Sequence, residues 1–200
     1  MPGSPDTILT YDRIAPAYLD HRRDRSAMLK AFEDFSNLLA PGGLVFDVGC
    51  GPGFDAVELR ARGLRVIGFD LSAGMIGLGA REYPGSFVRA DMRRFPALNA
   101  ADGLWVNASL LHVKRKEVLA TLEGFWQVLK PGGILLVTLK NGRGEGWEPT
   151  RYDRTVSRWF TYWSEASVRD ALWRAEFEIQ RLDAGESWIY SIARRPQEKA

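Results

Sequence analysis

A short apolar run that ends in alternating glycines, followed one strand later by an acid, constrains this chain more than any other feature. Val45-Phe46-Asp47-Val48-Gly49-Cys50-Gly51-Pro52-Gly53 leads on to Arg65-Val66-Ile67-Gly68-Phe69-Asp70. The pattern predicts a strand, a glycine-rich turn, a helix and a second strand that ends in a carboxylate. Glycine lets backbone approach a ligand where a Cβ would collide. An acid about twenty residues beyond such a turn suits the two hydroxyls of a ribose, and Asp70 stands at that spacing. Together they form half of a nucleoside-binding site.

Two nucleoside ligands fit. Taken as Gly51-Pro52-Gly53-Phe54-Asp55-Ala56, the turn satisfies the dinucleotide fingerprint and admits an NAD(P)-dependent oxidoreductase. That reading leaves Asp47-x-Gly49-x-Gly51 and Asp70-Leu71-Ser72-Ala73-Gly74-Met75 unexplained. An acid beside the turn disfavours a pyrophosphate and favours a cation.

Taken together, these two segments resemble the class I S-adenosylmethionine-dependent methyltransferases of the small-molecule type. The resemblance runs from Tyr11, in Tyr11-Asp12-Arg13-Ile14-Ala15-Pro16-Ala17-Tyr18, through Lys130-Pro131-Gly132-Gly133 to a last strand near Ala193. It implies S-adenosyl-L-methionine as cofactor, S-adenosyl-L-homocysteine as product and no metal. The reaction implied is in-line displacement onto an O, N or S atom of a small molecule. In the family the turn, here Gly49, Cys50, Gly51 and Gly53, wraps the amino-acid portion of the cofactor with Asp47 in support. The resemblance makes Asp70 the acceptor of both ribose hydroxyls. Asp91 and Met92 become adenine contacts, with Leu71 and Met75 packed nearby. Trp105 to His112 matches the segment whose backbone carbonyls hold the cofactor's amino group, which makes Asn107 a cofactor-side candidate.

Tyr11 and Tyr18 share one face if their segment is helical, and in similar enzymes such tyrosines close over the cofactor and its methyl group. His112 is a candidate general base, because an imidazole titrates near neutrality, and Tyr11 is a second catalytic candidate. Packing roles for both stay open. Lys140, Trp147 and Tyr162 are substrate-wall candidates, since the family usually places its acceptor pocket after the fifth strand. A non-catalytic protein that binds the same cofactor would carry the same residues.

Composition narrows the class further. The 200 residues fit one domain, with 27 basic against 25 acidic side chains and a formal charge of +2. Without a block of like charge, nucleic acid binding has little support. Arg22-Arg23, Arg93-Arg94 and Lys114-Arg115-Lys116 read as solvated surface, as does His21. One cysteine, no leader pattern and no long apolar stretch predict a cytoplasmic protein without a membrane span. No Asn/Asp-Pro-Pro-aromatic signature for base or amide nitrogen occurs, and no second cysteine for attack on a pyrimidine or for a thiol relay. These absences favour a small-molecule acceptor.

Apolar runs at 44–48, 65–70, 86–90, 104–108 and 134–140 alternate with helical patterns at 25–39, 54–62, 73–82, 117–129 and 164–175. Two more runs, 177–182 and 188–193, read as a hairpin. This rhythm predicts an α/β, Rossmann-like, doubly wound sheet. The resemblance implies seven strands in the order 3-2-1-4-5-7-6 with the last antiparallel. The expected division is a cap and cover helix over 1–43, a cofactor core over 44–140 and a substrate-side segment over 141–200.

Overall fold

The structure, a computed structural model, describes residues 6–21, 24–95 and 98–197; the Arg22-Arg23 pair lies outside the described residues. Strand β1 (Leu44–Val48) is buried along nearly its whole length and pairs in parallel with β2 (Arg65–Asp70) and β4 (Ala101–Asn107). On one side β2 pairs with β3 (Ser86–Arg89); on the other β4 pairs with β5 (Leu129–Lys140), all in parallel. The chain then returns as β8 (Glu178–Ala184) and β9 (Trp188–Arg194), and β9 inserts antiparallel between β5 and β8. The sheet order is β3-β2-β1-β4-β5-β9-β8. This is the expected 3-2-1-4-5-7-6 topology, because β6 (Glu145–Pro149) and β7 (Ser157–Thr161) pair only with each other as a separate ribbon.

Helices cover both faces. Helix α2 (Leu29–Ser36) sets Phe32 flat on Trp105 at 4.6 Å between ring centroids, with Phe35 edge-on to the same indole. Helix α3 (Phe54–Ala61) adds Ala56 and Leu59 to this layer. On the opposite face α5 (Arg115–Val128) and α6 (Glu165–Arg174) bury Leu122, Phe125, Val168 and Leu172 in one cluster with side chains of β4 and β5. Helix α4 (Ala73–Glu82) follows β2 and is capped by the Ser72 hydroxyl, which accepts from the Met75 amide.

The structure adds two elements to the sequence reading. Helix α1 (Thr7–His21) contains both Tyr11 and Tyr18, so their shared face is real. The β6–β7 ribbon occupies a stretch read as loop and aromatics. The helix expected over 25–39 is shorter: it opens as a 3-10 turn at Ser26–Met28 and stops at Ser36. Ser36 and Asn37 are weak helix formers, and the Leu38 and Leu39 amides already bond three residues back.

Candidate functional site

In open α/β sheets ligands lie beyond the carboxyl ends of the strands. Here the ends of β1, β2 and β4 and the turn after β3 open into one cavity of about 890 Å³, toward the upper end of the roughly 300–1,000 Å³ typical of small-ligand sites. Its wall includes Gly51, Asp70, Asp91, Asn107 and His112, with Tyr11 and Tyr18 contributed by α1.

The three turn glycines all have positive φ: +72° at Gly49, +56° at Gly51 and +89° at Gly53. They do different jobs. A Cβ on Gly49 would lie 2.2 Å from Ser109 Cβ, and one on Gly53 would lie 2.7 Å from the Phe87 ring. Those two positions are bare because the protein packs against itself there. Only at Gly51 does the missing side chain face open space, with a Tyr18 ring carbon 3.9 Å away as the one near neighbour. The Gly49 and Cys50 amides both donate to the Phe69 carbonyl, tying the turn to β2. Cys50 lines the cavity, and burial raises its thiol well above the usual pKa.

Asp70 closes β2 with both carboxylate oxygens engaged. One accepts from the Gly51 amide at 2.8 Å and the other from the Ser72 amide at 2.8 Å. Each oxygen keeps a second lone pair. Asp47, expected as a charge beside the ligand, is instead 2% exposed beneath the turn and does not line the cavity. Its Oδ2 has no partner among the described residues, and burial, reinforced by Asp55, raises its pKa well above the carboxylate range. Asp47 therefore supports the turn from below and does not face a ligand. Asp91 and Met92 both line the cavity, but the Asp91 carboxylate is held by Arg93 at 2.7–3.1 Å, and that hydrogen bonding lowers its pKa. Leu71 and Met75 line the same end, with Met75 packed on Ile14 and Ala15 of α1.

Helix α1 is fastened over the opening at several points. Asp12 accepts from the Ser72 hydroxyl at 2.5 Å and the Gly74 amide at 2.8 Å. Thr10 donates to the Ser157 carbonyl, and the Trp159 amide donates to Thr7. Tyr11 joins a directed chain. His112 Nδ1 stands 2.6 Å from the Trp159 carbonyl, which can only accept, so that nitrogen carries the proton. Nε2 then accepts from the Tyr11 hydroxyl at 2.7 Å, and the Tyr11 oxygen accepts from Arg158 Nη1 at 3.0 Å.

This chain of bonds corrects the expectation for His112. Its lone pair is already filled, and desolvation, helped by the Arg158 and Lys140 charges, pushes its pKa down to about 3. A group depressed in this way stays neutral across the range in which free histidine titrates. The rate-versus-pH profile should accordingly show no inflection near 6.5 assignable to His112, and its ring nitrogen NMR shifts should stay those of neutral imidazole at pH 5. Because folding favours the neutral form, the His112 contribution to stability is complete above pH 6.5 and declines as pH falls toward 3.

Of the substrate-wall candidates only Trp147 lines the cavity. Lys140 Nζ instead lies over the Phe160 ring at 4.7 Å and the Tyr162 ring at 5.7 Å, while the Tyr162 hydroxyl bonds Glu148. Trp159, another of the aromatics that follow the fifth strand, also reaches the cavity. Among the described residues, no group of three or more His, Cys, Asp or Glu is placed to hold a metal, and no helix is long and apolar enough to cross a membrane.

Comparison with known proteins agrees with this geometry. A family model described as a methyltransferase domain matches residues 45–133, the segment from β1 to the start of β5. Trans-aconitate 2-methyltransferase of Escherichia coli is 28% identical over 172 residues, covering 76% of this chain and 68% of that enzyme. The fold is shared with the 1,6-didemethyltoxoflavin-N1-methyltransferase of Burkholderia thailandensis, solved with S-adenosylhomocysteine bound: TM-score 0.72, 20% identity, 98% and 94% of the two chains. The chain is thus similar to S-adenosylmethionine-dependent methyltransferases, in sequence over residues 45–133 and in fold over nearly its whole length.

Other relatives of this chain match over shorter spans. Trans-aconitate 2-methyltransferase of Paracidovorax citrulli is 36% identical over 106 residues, half of this chain and 40% of that one. The malonyl-acyl-carrier-protein O-methyltransferase of Serratia marcescens is 30% identical over 123 residues, 58% and 48%. The chain thus spans less than half the length of these two.

Along the cavity wall lies a polar hub that the sequence did not announce. Asp55, 4% exposed in the first turn of α3, accepts from Trp105 Nε1 and Asn107 Nδ2, both at 2.8 Å, and is ion-paired to Arg25. Asn107 Oδ1 accepts from Thr138, whose hydroxyl oxygen accepts in turn from the Ala108 amide. The scaffold thus fixes both ends of the Asn107 amide, leaving one Nδ2 hydrogen and one Oδ1 lone pair over.

Proposed function

We propose that this chain transfers a methyl group from S-adenosyl-L-methionine to an O, N or S atom of a small molecule, releasing S-adenosyl-L-homocysteine. The observation that carries the reading is the placement of Asp70, its carboxylate fixed by the turn it faces, at the end of the cavity where Gly51 leaves backbone bare. Asp70 would accept the ribose hydroxyls through its remaining lone pairs, Asp91 and Met92 would meet the adenine, and Leu71 and Met75 would flank it. Gly49, Cys50, Gly51 and the Asn107 main chain would enclose the amino-acid end, with Gly53 and Asp47 shaping the turn from behind. When bound, S-adenosylmethionine supplies a methyl group already activated on a sulfonium.

The protein's task is then alignment, which contributes roughly 7–11 kcal/mol in well-oriented systems, and a metal is not required by this chemistry. Tyr11 and Tyr18 would exclude water from above, and aromatic faces near a sulfonium favour the cation through their quadrupole. Tyr11→Phe removes the bond to His112 and the acceptor for Arg158. One such bond is worth about 0.5–1.5 kcal/mol, so turnover should fall roughly two- to tenfold while S-adenosylhomocysteine affinity changes less. Equal losses in both would place Tyr11 at the cofactor alone. The reading further takes residues 1–200 as one methyltransferase domain in the cytoplasm, acting on metabolites and not on nucleic acid or membrane.

The direct test is calorimetry with S-adenosylhomocysteine, followed by incubation of methyl-labelled S-adenosylmethionine with fractions of a metabolite extract. Binding followed by transfer to a small-molecule fraction is the expected result. Transfer to no fraction, with product analogue bound, would leave a cofactor-binding protein without turnover.

A further inference from the structure

Behind Tyr11, just outside the cavity wall, stand two half-buried cations that no acid balances among the described residues. Arg158, on β7, has its guanidinium 5.1 Å from the centroid of the Phe160 ring, and Lys140, at the end of β5, has its ammonium 4.7 Å from the same ring. Phe160 is 5% exposed and packs on the neutral His112 ring at 4.8 Å. Both charges bear on that imidazole. Yet among the described residues neither Arg158 nor Lys140 has a carboxylate within 4.0 Å. The obvious partner is turned elsewhere: Glu148 lies directly across the ribbon from Arg158, but it takes the Tyr162 hydroxyl.

The guanidinium is also only partly used. Nη1 donates to Tyr11, while neither Nε nor Nη2 has an acceptor among the described residues, and Nε is fully enclosed. The edge formed by Nε and Nη2 is the two-pronged face that matches a planar carboxylate. Two like charges set against one aromatic ring repel each other, and an anion between them would relieve that repulsion. The corner stands one hydroxyl away from the cavity, behind Tyr11, which with His112 and Trp159 forms part of the wall. A third cation, Lys114, lies in that wall over the Trp159 ring at 5.4 Å.

We infer that the acceptor is a small carboxylic acid, anchored through a carboxylate by Arg158 and Lys140 as Tyr11 yields its place on the guanidinium. This deepens the methyl-transfer reading and rests on it. The two residues act as acceptor-binding groups; they are not assigned to the cofactor.

The test uses the full chain loaded with S-adenosylhomocysteine, as wild type and as the R158Q/K140Q double variant. Each is equilibrated with the fraction of a metabolite extract retained by an anion exchanger and, separately, with the unretained fraction. Captured molecules are identified by mass spectrometry. Carboxylic acids should be captured from the retained fraction by the wild type and at least about tenfold less by the variant, with the affinity for S-adenosylhomocysteine about equal in the two. Equal capture of carboxylic acids by both proteins overturns the inference. So does capture confined to phosphate esters lacking a carboxylate, capture from the unretained fraction alone, or no capture at all. Failure of the wild type to bind S-adenosylhomocysteine would sink the methyl-transfer reading itself, and this inference with it.

Discussion

Asp70→Ala should weaken S-adenosylhomocysteine binding by at least about tenfold, since each hydrogen bond to a charged acceptor is worth about 1.5–3 kcal/mol and a factor of ten is about 1.4 kcal/mol. Two ribose hydroxyls are at stake. The loss also has an indirect part, because the same carboxylate accepts the Gly51 and Ser72 amides and so holds the turn and the start of α4. Asp70→Asn separates the two parts: it keeps the shape and one acceptor but turns a donor toward one of those amides. Its affinity should fall between those of wild type and alanine variant. The pH dependence has a definite sign. Burial raises the Asp70 pKa, and donation from hydroxyls favours the ionised form, so binding lowers that pKa and releases a proton. Affinity should therefore be greatest above the free-state pKa and decline as pH falls through it. Calorimetry at several pH values measures both effects; an alanine variant that binds as well as wild type refutes the assignment.

Asp55→Ala should be the more damaging change to the fold. It strands Arg25, whose side chain is 16% exposed, and removes the acceptor for Trp105 Nε1 and Asn107 Nδ2. Breaking a buried pair by removing one partner typically costs about 3–5 kcal/mol, which for a chain of this size lowers the melting temperature by roughly 6–20 °C. Asp55→Asn, which retains an acceptor, should lose less. A melting temperature within about 2 °C of wild type in the alanine variant would show that the hub contributes little.

The sheet and its ligand-facing turn were legible because their causes are local in sequence. Buried parallel strands read as apolar runs, and the positive φ at Gly49, Gly51 and Gly53 can be met without strain only by glycine. The separate duties of the three glycines were not legible, since Ser109 and Phe87 reach them from distant strands. Asp55 looked like any acid in a helix's first turn; its partners lie fifty residues away on β4. Asp47 was read as a charge beside the ligand because sequence does not report depth. Helix α1, interrupted by Pro16, is held by contacts to the Ser72 loop and to β7 more than by its own pattern. The β6–β7 ribbon escaped notice because neither strand carries a continuous apolar run. Lys140 and Tyr162 were placed in the right neighbourhood, yet their side chains stack on each other and on Phe160 away from the cavity.

The antiparallel insertion of β9 has a consequence for how this protein comes into being. Until Trp188–Arg194 is available, β5 has a free edge, and Arg195, whose guanidinium bonds the Leu129 and Trp126 carbonyls, cannot anchor the end of α5. During synthesis the earlier strands must therefore wait, open-sided, until residues 188–195 have left the ribosome. Contacts so remote in sequence slow closure, and an exposed strand edge invites pairing with another molecule. The substitution Arg195→Ala should harm folding yield far more than its distance from the cavity would suggest.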